Sequence, residues 1–370
     1  MNDDSTRIMT LARSVEFDLD EKVHCLELVE GADVGRRFVV GAAPVVIGRI
    51  APADIVVADS EVSRSHCRVA MQGDELIVTD LNSTNGAYID GQRLAEPMAL
   101  PVGSILQIGR TALIHEWLTD KQWHKSEALD RDLAVAASYV NALLPPRIQH
   151  GPVRADWLYR PCAKLGGDAL GYQALSDTLF AVYLIDVSGH GAGAAMHSVS
   201  IMNVLRQRAL PSIDFTAPGQ VLAALNDMFQ MDQHADMYFT MWYGVYDATR
   251  RTVEFASGGH HPGFIVDAER LQARPLQARN AMIGATPGRG YKSDTAFVPP
   301  ESSIYLFSDG AFEIVTNEGL QWRLDNFTPL LLEPAVEGLS EPERLFRAVG
   351  DISRVREPDD DVSIVVLNFD

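Results

Sequence analysis

The sequence predicts a multidomain chain in which an all-β sandwich is followed by a helical linker and then by a mixed α/β domain. The chain has 370 residues, which is too long for one ordinary hydrophobic core. Its first third consists of short β-like runs separated by Gly, Asp and Asn turns, without a helical pattern. Apolar residues then recur at a spacing of about 3.5, and the remainder carries apolar runs that end beside aspartates.

Four segments follow from these patterns. We place an N-terminal extension at residues 1–22, the β-rich domain at 23–118, the helical linker at 119–144 and the α/β domain at 145–370. Hydrophobic residues make up 46% of the chain, which is enough for globular packing of both domains.

The composition excludes several classes of function. The formal net charge is −19, which argues against nucleic acid and anionic membranes as partners, because both bind through Lys and Arg. Three cysteines give no disulfide framework, which is typical of a reducing compartment. The first ten residues are acidic and polar, unlike a signal peptide, and no apolar stretch has the length of a membrane span. We therefore expect a cytoplasmic protein that binds neither nucleic acid nor membrane.

The β-rich segment carries its distinctive residues in loops. These are Gly48-Arg49, the stretch 62–66 (VSRSH) and the stretch 82–86 (NSTNG). Arginine, hydroxyl and amide groups together are suited to phosphate, because guanidinium N–H groups match phosphate oxygens. Taken alone, residues 82–86 could equally be a hairpin turn.

Over nearly its whole length this segment resembles the forkhead-associated (FHA) domain, with its motifs in order. The resemblance implies a non-catalytic domain that binds phosphothreonine peptides through its loops. It implies that Arg49, Ser63 and Arg64 contact the phosphate, that Thr84 supports it and that Asn85 holds the peptide backbone. His66 is expected to brace the loop.

The linker pattern predicts one amphipathic helix. Its apolar positions are Leu129, Leu133, Ala136 or Ala137, Val140, and Leu143 or Leu144. Pro145 and Pro146 end the pattern. The span is short for a free coiled coil, so the apolar face can either dock on the following domain or pair with a second copy. Both alternatives remain open.

Four aspartates of the last segment each lie at the end of a short apolar run: Asp168, Asp186, Asp309 and Asp360. The runs 179–185, 303–307 and 362–367 read as strands. Antiparallel neighbours would bring the exits of the first two and the entry of the third to one edge of a sheet. Buried carboxylates need neutralising cations, and an oxygen-only cluster suits Mg²⁺ or Mn²⁺. Each Asp could instead be a separate turn residue.

This segment resembles the SpoIIE-type branch of the metal-dependent protein phosphatases (PPM). The matching stretches are LLPPRI, YRPCAKLGGD, DVSGHGAGAAM, MYFTMWYGVYD, SGGHHPGFIV, LFSDGAFE and DDVSIVVL, in family order. The resemblance implies an α/β/β/α sandwich with two Mn²⁺ or Mg²⁺ ions between the sheets. It also implies hydrolysis of phosphoserine or phosphothreonine, usually on a small anti-sigma-factor antagonist. Similar linkers in this branch pair, which favours a homodimer.

The resemblance also assigns roles to residues. Asp186 would bridge both ions, the Val187 carbonyl would add a ligand, Asp309 and Asp360 would hold the second ion, Asp168 would act directly or through water, and Asp361 is the alternative to Asp360. His190 is a candidate general acid, although it could instead brace its loop. The family's second aspartate in GGDFYD is replaced by Gly171, which leaves open whether the third-metal or outer-sphere contact of that position is made in this chain.

Two functions of different class are consistent with these motifs. The first is an active serine/threonine phosphatase that an FHA domain recruits or regulates. The second is a non-catalytic docking scaffold with a degenerate phosphatase fold. The intact aspartate set favours the enzyme, and Cys25, Cys67 and Cys162 lack the Cys-loop-Arg arrangement of a cysteine phosphatase.

Overall fold

The computed structural model describes residues 22–31, 34–354 and 358–370. The predicted N-terminal extension at 1–22 lies outside the described residues except for Lys22. The chain divides into two compact units between Arg131 and Asp132. The division does not test the predicted domain ends at 118 and 144, which stay predictions. Among the described helices, none is long and apolar enough to cross a membrane.

The described residues of the first unit form eleven strands in two sheets, followed by the start of a helix. One sheet has the order β2-β1-β11-β10-β7-β8 and the other has the order β4-β3-β5-β6-β9. The strands are β1 Lys22–Glu30, β2 Arg37–Val40, β3 Val45–Gly48, β4 Ile55–Val56, β5 Cys67–Gln72, β6 Glu75–Asp80, β7 Ala87–Ile89, β8 Gln92–Arg93, β9 Met98–Leu100, β10 Ile105–Ile108 and β11 Thr111–Thr119.

Alternating side chains of both sheets form one core. In β1 the residues Leu26 and Leu28 point inwards, and in β5 and β6 the residues Val69 and Val78 face them. All four are at most 1% exposed, so the two sheets enclose a dry layer between them. The predicted all-β sandwich is confirmed.

One long helix follows the sandwich. Helix α1 spans Asp120–Leu143 and ends before the prolines that the sequence placed at its end. Val140 is buried against Leu165 and Ala195. Leu133, Ala136 and Ala137 are partly buried in the same cluster. The C-terminal half of the predicted apolar face therefore docks on the second unit, whereas Leu129, predicted on that face, is 58% exposed.

The second unit contains two sheets whose strands pair antiparallel, except that β16 and β19 pair parallel. The six-stranded sheet runs β13-β14-β15-β16-β19, with β20 also paired to β16, and the five-stranded sheet runs β12-β22-β21-β17-β18. The strands are β12 Val153–Arg160, β13 Ala169–Ala174, β14 Leu179–Val187, β15 Phe239–Asp247, β16 Thr252–Gly258, β17 Gly263–Val266, β18 Ala273–Leu276, β19 Arg279–Asn280, β20 Asp294–Phe297, β21 Ser303–Phe307 and β22 Val362–Phe369.

Helices cover the outer faces of both sheets. Helices α2 (Ala192–Arg206) and α3 (Pro218–Met228) pack on the six-stranded sheet. Helix α5 (Glu341–Ile352) packs on the five-stranded sheet, beside the short helix α4 (Leu324–Phe327). Short 3₁₀ turns occupy Met231–Gln233, Asp309–Ala311 and Thr328–Leu332.

The layer between the sheets is the main core of this unit. Its residues come from alternate positions of facing strands, for example Leu184 and Trp242 on one side and Leu306 and Val365 on the other. The opposite positions, such as Tyr183 and Ile185, pack under α2 and α3. The α/β/β/α sandwich expected from the resemblance is confirmed.

Candidate functional site

The four predicted aspartates converge from both sheets of the second unit. Asp168 directly precedes β13 and Asp186 is the penultimate residue of β14; these strands pair antiparallel, with Ala169 opposite Ile185. Asp309 follows β21 and Asp360 precedes β22, and these strands also pair antiparallel. The end of β21 and the start of β22, which carry Asp309 and Asp360, lie at one sheet edge as the sequence pattern predicted. The expectation that one sheet edge would gather all the strand ends was wrong, because β14 belongs to the facing sheet.

Burial and the charges of neighbouring carboxylates raise the pKa of the aspartates in this cluster. Burial, followed by the charges of Asp309 and Asp360, raises the pKa of Asp186 to about 7. Burial, followed by the charges of Asp360 and Glu313, raises the pKa of Asp309 to about 6. Burial, followed by the charges of Asp186 and Asp361, raises the pKa of Asp168 well above its ordinary value. Burial also raises the pKa of Asp360. Ionising the whole cluster is therefore costly without a cation.

The donor atoms of this cluster fit a hard divalent cation. Asp168 is 3% exposed, and its Oδ2 has no hydrogen-bond partner among the described residues. The Val187 carbonyl lies in the same corner, because a methyl group built on Gly167 would be 2.8 Å from that oxygen. Carboxylate and carbonyl oxygens are the ligands that Mg²⁺ and Mn²⁺ prefer. The residues present could hold such an ion.

Asp361, the predicted alternative ligand, has a different set of contacts. Its Oδ1 accepts a hydrogen bond from the backbone N–H of Cys162 at 2.8 Å. Its Oδ2 accepts hydrogen bonds from the N–H groups of Gly167 at 2.6 Å and Asp168 at 3.4 Å. Asp360 accepts one hydrogen bond, from the backbone N–H of Asp361 at 2.8 Å. The choice between Asp360 and Asp361 as a ligand stays a prediction.

Cys162 lies beside these two carboxylates. Its Sγ and one oxygen each of Asp360 and Asp361 are within 4.8 Å of one another. Burial, followed by the charge of Asp361, raises the pKa of the Cys162 thiol to about 12. Since a metal ligand or nucleophile must be a thiolate, this thiol is unsuited to either role at neutral pH.

His190 is exposed in the loop between β14 and α2. It lies near enough to Asp360 for its charge to lower the pKa of that carboxyl group against the larger effect of burial. Within the described part of the chain, its ring forms no hydrogen bond that would brace the loop. Both alternatives for His190, the general acid and the loop brace, stay predictions.

His260 and His261 lie in the loop before β17. The His261 ring stacks on Phe307 at 4.8 Å between ring centroids and contacts Phe312 at 4.9 Å. Burial lowers the pKa of His261 to about 4, so its ring is neutral. His261 therefore packs next to the strand end that carries Asp309.

Gly171 is not on the metal-facing side of β13. Asp168, Leu170 and Tyr172 share one face, and Gly171 lies on the other face because strand side chains alternate. A methyl group at Gly171 would collide with the Tyr183 ring. The aspartate that the family carries there would thus point away from the cluster, and the glycine makes room for Tyr183.

Two contacts to the cluster were missing from the sequence prediction. Thr240 lies opposite Asp186 in the β14–β15 pair and its hydroxyl donates to Asp186 Oδ2 at 3.4 Å. Glu313 follows Asp309 by one turn and raises its pKa. The DGAFE motif contained Glu313, but only the strand register could have indicated Thr240.

In the first unit, the predicted phosphate-binding residues lie on neighbouring loops. Ser63 Oγ accepts a hydrogen bond from the N–H of Thr84 at 3.0 Å. Asn85 Nδ2 donates to the Glu61 carbonyl at 2.8 Å. Arg49 and Arg64 are exposed, and neither forms an ion pair with a described residue. Arg49 donates a long hydrogen bond of 3.5 Å to the Ser60 carbonyl, so the arrangement presents exposed guanidinium groups beside hydroxyl and amide donors, which suits an anion.

Two buried side chains organise these loops. His66 is fully buried; its Nδ1 accepts from the N–H of Ser63 at 3.1 Å, so its Nε2 carries the proton and donates to the Gly86 carbonyl at 3.0 Å. Asp80, which the sequence prediction missed, accepts from the N–H of Ser83 and of Ala87. His66 therefore braces the loop as expected, and residues 82–86 are more than a free hairpin turn.

Family models match both units. The model for stage II sporulation protein E (SpoIIE) matches residues 176–370, and the model for the FHA domain matches residues 45–109. The first match covers more than half of the chain.

Relatives match the two units separately. The phosphoserine phosphatase RsbU of Bacillus subtilis (strain 168) is 26% identical over 202 residues, which are 54% of this chain and 58% of RsbU. The FHA domain-containing protein FhaB of Mycobacterium tuberculosis is 39% identical over 88 residues, which are 24% of this chain and 57% of FhaB. The chain thus spans somewhat more than half the length of these curated relatives.

Solved structures show the same fold as the second unit. The SiaA-PP2C domain of Pseudomonas aeruginosa superposes with a TM-score of 0.58 at 19% identity, covering 66% of this chain and 99% of that domain. The PP2C phosphatase domain of SpoIIE from Bacillus subtilis superposes with a TM-score of 0.50 at 19% identity, covering 59% and 64%.

We predict that Mn²⁺ or Mg²⁺ stabilises the protein through the aspartate cluster. A ligand present at a hundredfold excess over its Kd adds about 2.7 kcal/mol to the free energy of unfolding. Asp186→Asn should reduce this increase. In EDTA the same variant should unfold at a higher temperature than the wild type, because one repelling charge is gone. The pH of the measurement follows from the raised pKa of Asp186. The folded state favours the protonated form, so the ionised Asp186 carboxylate destabilises the fold to its full extent only above about pH 7.

Thermal unfolding at pH 8 with and without EDTA measures both effects. Asp177→Asn, which removes an exposed carboxylate of the β13–β14 turn, is the matched control and should behave like the wild type. Equal metal-dependent shifts for Asp186→Asn and the wild type would contradict the metal assignment.

Proposed function

The chain belongs to the stage II sporulation protein E (SpoIIE) family, and on this premise we propose that it is a metal-dependent protein serine/threonine phosphatase of a bacterial signalling pathway. The chain carries an FHA domain together with this phosphatase-type domain, as the motifs indicated. One observation carries the proposal: four aspartates from two facing sheets converge, and the buried Oδ2 of Asp168 lacks a partner among the described residues. A scaffold would have no reason to retain so costly a cluster.

The aspartates would hold two Mg²⁺ or Mn²⁺ ions, as the family implies. Asp186 would serve both ions, the Val187 carbonyl would add a ligand, Asp309 and Asp360 would serve the second ion, and Asp168 would contribute directly or through water. When bound, such ions supply an activated water and neutralise the charge of the phosphoryl group.

Other residues of the chain orient the site and move protons. Thr240 donates to Asp186 Oδ2 and so limits the rotation of that carboxylate. His190 would donate a proton to the leaving serine or threonine oxygen, and its exposure beside Asp360 supports this role. A cysteine nucleophile does not fit, because Cys25 and Cys67 are buried and the pKa of Cys162 is raised to about 12.

The substrate we propose is a phosphoserine or phosphothreonine of a partner protein, in the class of anti-sigma-factor antagonists. The names of RsbU and RsbP, both phosphoserine phosphatases of Bacillus subtilis, support this substrate class. We also propose a cytoplasmic location, which the net charge of −19 and the three free cysteines favour.

Hydrolysis of a phosphoserine peptide should need Mn²⁺ or Mg²⁺ and fall by at least about 100-fold in EDTA or in Asp309→Asn, because metal activation of water contributes several kcal/mol. His190→Ala should lower kcat for the peptide by about 100-fold. It should affect p-nitrophenyl phosphate much less, because p-nitrophenolate leaves without a proton. Asp177→Asn is the control. A wild-type rate of hydrolysis in EDTA, or in the Asp309→Asn variant, would contradict the assignment as a metal-dependent phosphatase.

For the FHA domain we propose binding of a phosphothreonine protein that recruits or regulates the phosphatase. Support comes from the exposed Arg49 and Arg64 beside the Ser63–Thr84 contact. The His66 and Asp80 networks hold these loops in place before any ligand binds, which lowers the entropic cost of binding.

Arg49→Ala in the full chain should weaken binding of a phosphothreonine peptide at least about tenfold, because a charge-assisted hydrogen bond contributes about 1.5–3 kcal/mol. Arg68→Ala, which removes an exposed arginine of β5, is the matched control. Calorimetry with the strongest peptide from a phosphothreonine library gives both affinities, and EDTA should not change them. Equal affinity for the unphosphorylated peptide would rule this binding mode out.

We further propose that α1 supports a homodimer. The helix face that contains Val140 packs against residues of the same chain. On another face, Val135 and Tyr139 are 66% and 60% exposed. Exposed apolar residues on a helix fit a second copy of that helix.

Light scattering should give the molar mass of a dimer for the wild type and of a monomer for Val135→Asp. Val140→Asp should instead lower the melting temperature, because it places a carboxylate against Leu165 and Ala195. A wild-type protein that remains monomeric at all concentrations measured would contradict the dimer proposal.

A further inference from the structure

We propose that Asp361 is a positioning residue, which holds three metal-binding segments in register without being a ligand. The inference rests on the proposed phosphatase function, in which Asp168, Asp309 and Asp360 bind the ions. Asp361 is 3% exposed and contacts the segments of all three. Its side chain forms one group of hydrogen bonds, and its backbone N–H and carbonyl form a second group.

The side chain holds the loop that carries Asp168. Oδ1 accepts from the N–H of Cys162 and Oδ2 accepts from the N–H groups of Gly167 and Asp168. The loop therefore wraps around one carboxylate over seven residues, from 162 to 168. A methyl group built on Gly166 would lie 2.5 Å from Asp361 Oδ2, so this approach requires glycine at position 166.

The backbone of Asp361 contacts the other two segments. Its N–H donates to Asp360 Oδ1 at 2.8 Å, which orients that carboxylate. Its carbonyl accepts from Ser308 Oγ at 3.0 Å, directly before Asp309. Ser308 Oγ in turn accepts from the N–H of Ser363 at 2.9 Å. Asp309 and Asp360 are thus tied to the residue that holds the Asp168 loop.

Only a carboxylate can make the side-chain contacts. The three backbone partners of the Asp361 side chain are N–H donors that approach both of its oxygens, and the Cys162 thiol also hydrogen-bonds to this carboxylate. An asparagine offers one acceptor oxygen and one NH₂ group, so one set of donors would face another donor. Asp361→Asn removes a charge with almost no change in volume and should release one side of the loop.

The expected consequence is weaker metal binding with an unchanged number of ions. Residues that orient metal ligands typically contribute about 10–100-fold to metal affinity or activity. We expect Asp361→Asn to lower Mn²⁺ affinity by about that factor and to regain activity at saturating Mn²⁺. A lost ligand would instead lower the number of bound ions and would not be rescued in this way.

Hydrogen exchange of the full chain in EDTA tests the positioning role without metal or turnover. In Asp361→Asn, peptides that cover residues 162–168 should exchange faster than in the wild type. Gly166→Ala should give the same result, because its methyl group pushes the Asp361 carboxylate away while every carboxylate remains. Asp359→Asn, which removes a neighbouring exposed charge, should match the wild type.

Calorimetric titration with Mn²⁺ then separates the two roles. Faster exchange, a lower affinity and an unchanged stoichiometry in Asp361→Asn support the inference. Wild-type exchange in both variants, or the loss of one bound ion in Asp361→Asn, overturns it. If Asp361→Asn does not unfold cooperatively, Gly166→Ala decides the question by the same measurements. A chain that lacks phosphatase activity would contradict the proposed function but would leave the exchange result intact.

Discussion

The electrostatic cost of packing carboxylates between two sheets is the constraint on which the second unit depends. Asp168 and Asp186 come from one sheet, and Asp309 and Asp360 come from the strand ends of the other. Burial raises the pKa of all four, and the charges of neighbouring aspartates raise it further, so ionising the cluster without a cation is costly. The hydrophobic layer between the sheets offsets this cost, because it holds the strand ends whether or not an ion is bound.

The two units carry candidate sites of opposite charge. The first unit exposes the positively charged Arg49 and Arg64 on loops and supports them with neutral, buried hydrogen bonds through His66. The second unit collects negative charge in a corner that extends from the buried Asp168 through the half-buried Asp186 and Asp309 to the exposed Asp360. One site is thus suited to a phosphate group and the other to cations that would act on a phosphate. The net charge of −19 gives no hint of this division.

Much of the site could be predicted, because its residue types are restricted by chemistry. Aspartates after apolar runs indicated the cluster, and glycines beside them indicated close backbone approach. The wrong expectation concerned Asp186: local patterns show where a strand ends but not which sheet it joins. Asp361 was proposed as an alternative ligand for the same reason, since neighbouring aspartates cannot be told apart until their hydrogen-bond partners are known.

The sequence by itself determined the order of the domains, the strand-forming runs, the linker helix and the residues with metal-binding or phosphate-binding chemistry. These depend on periodicity and residue type, which are local properties. Tertiary structure decided that α1 docks through Val140, that Gly171 faces Tyr183, and that Asp361 contacts a loop nearly 200 residues earlier in the chain. Contacts between residues so far apart depend on how the sheets pair and pack, and no local pattern encodes that pairing.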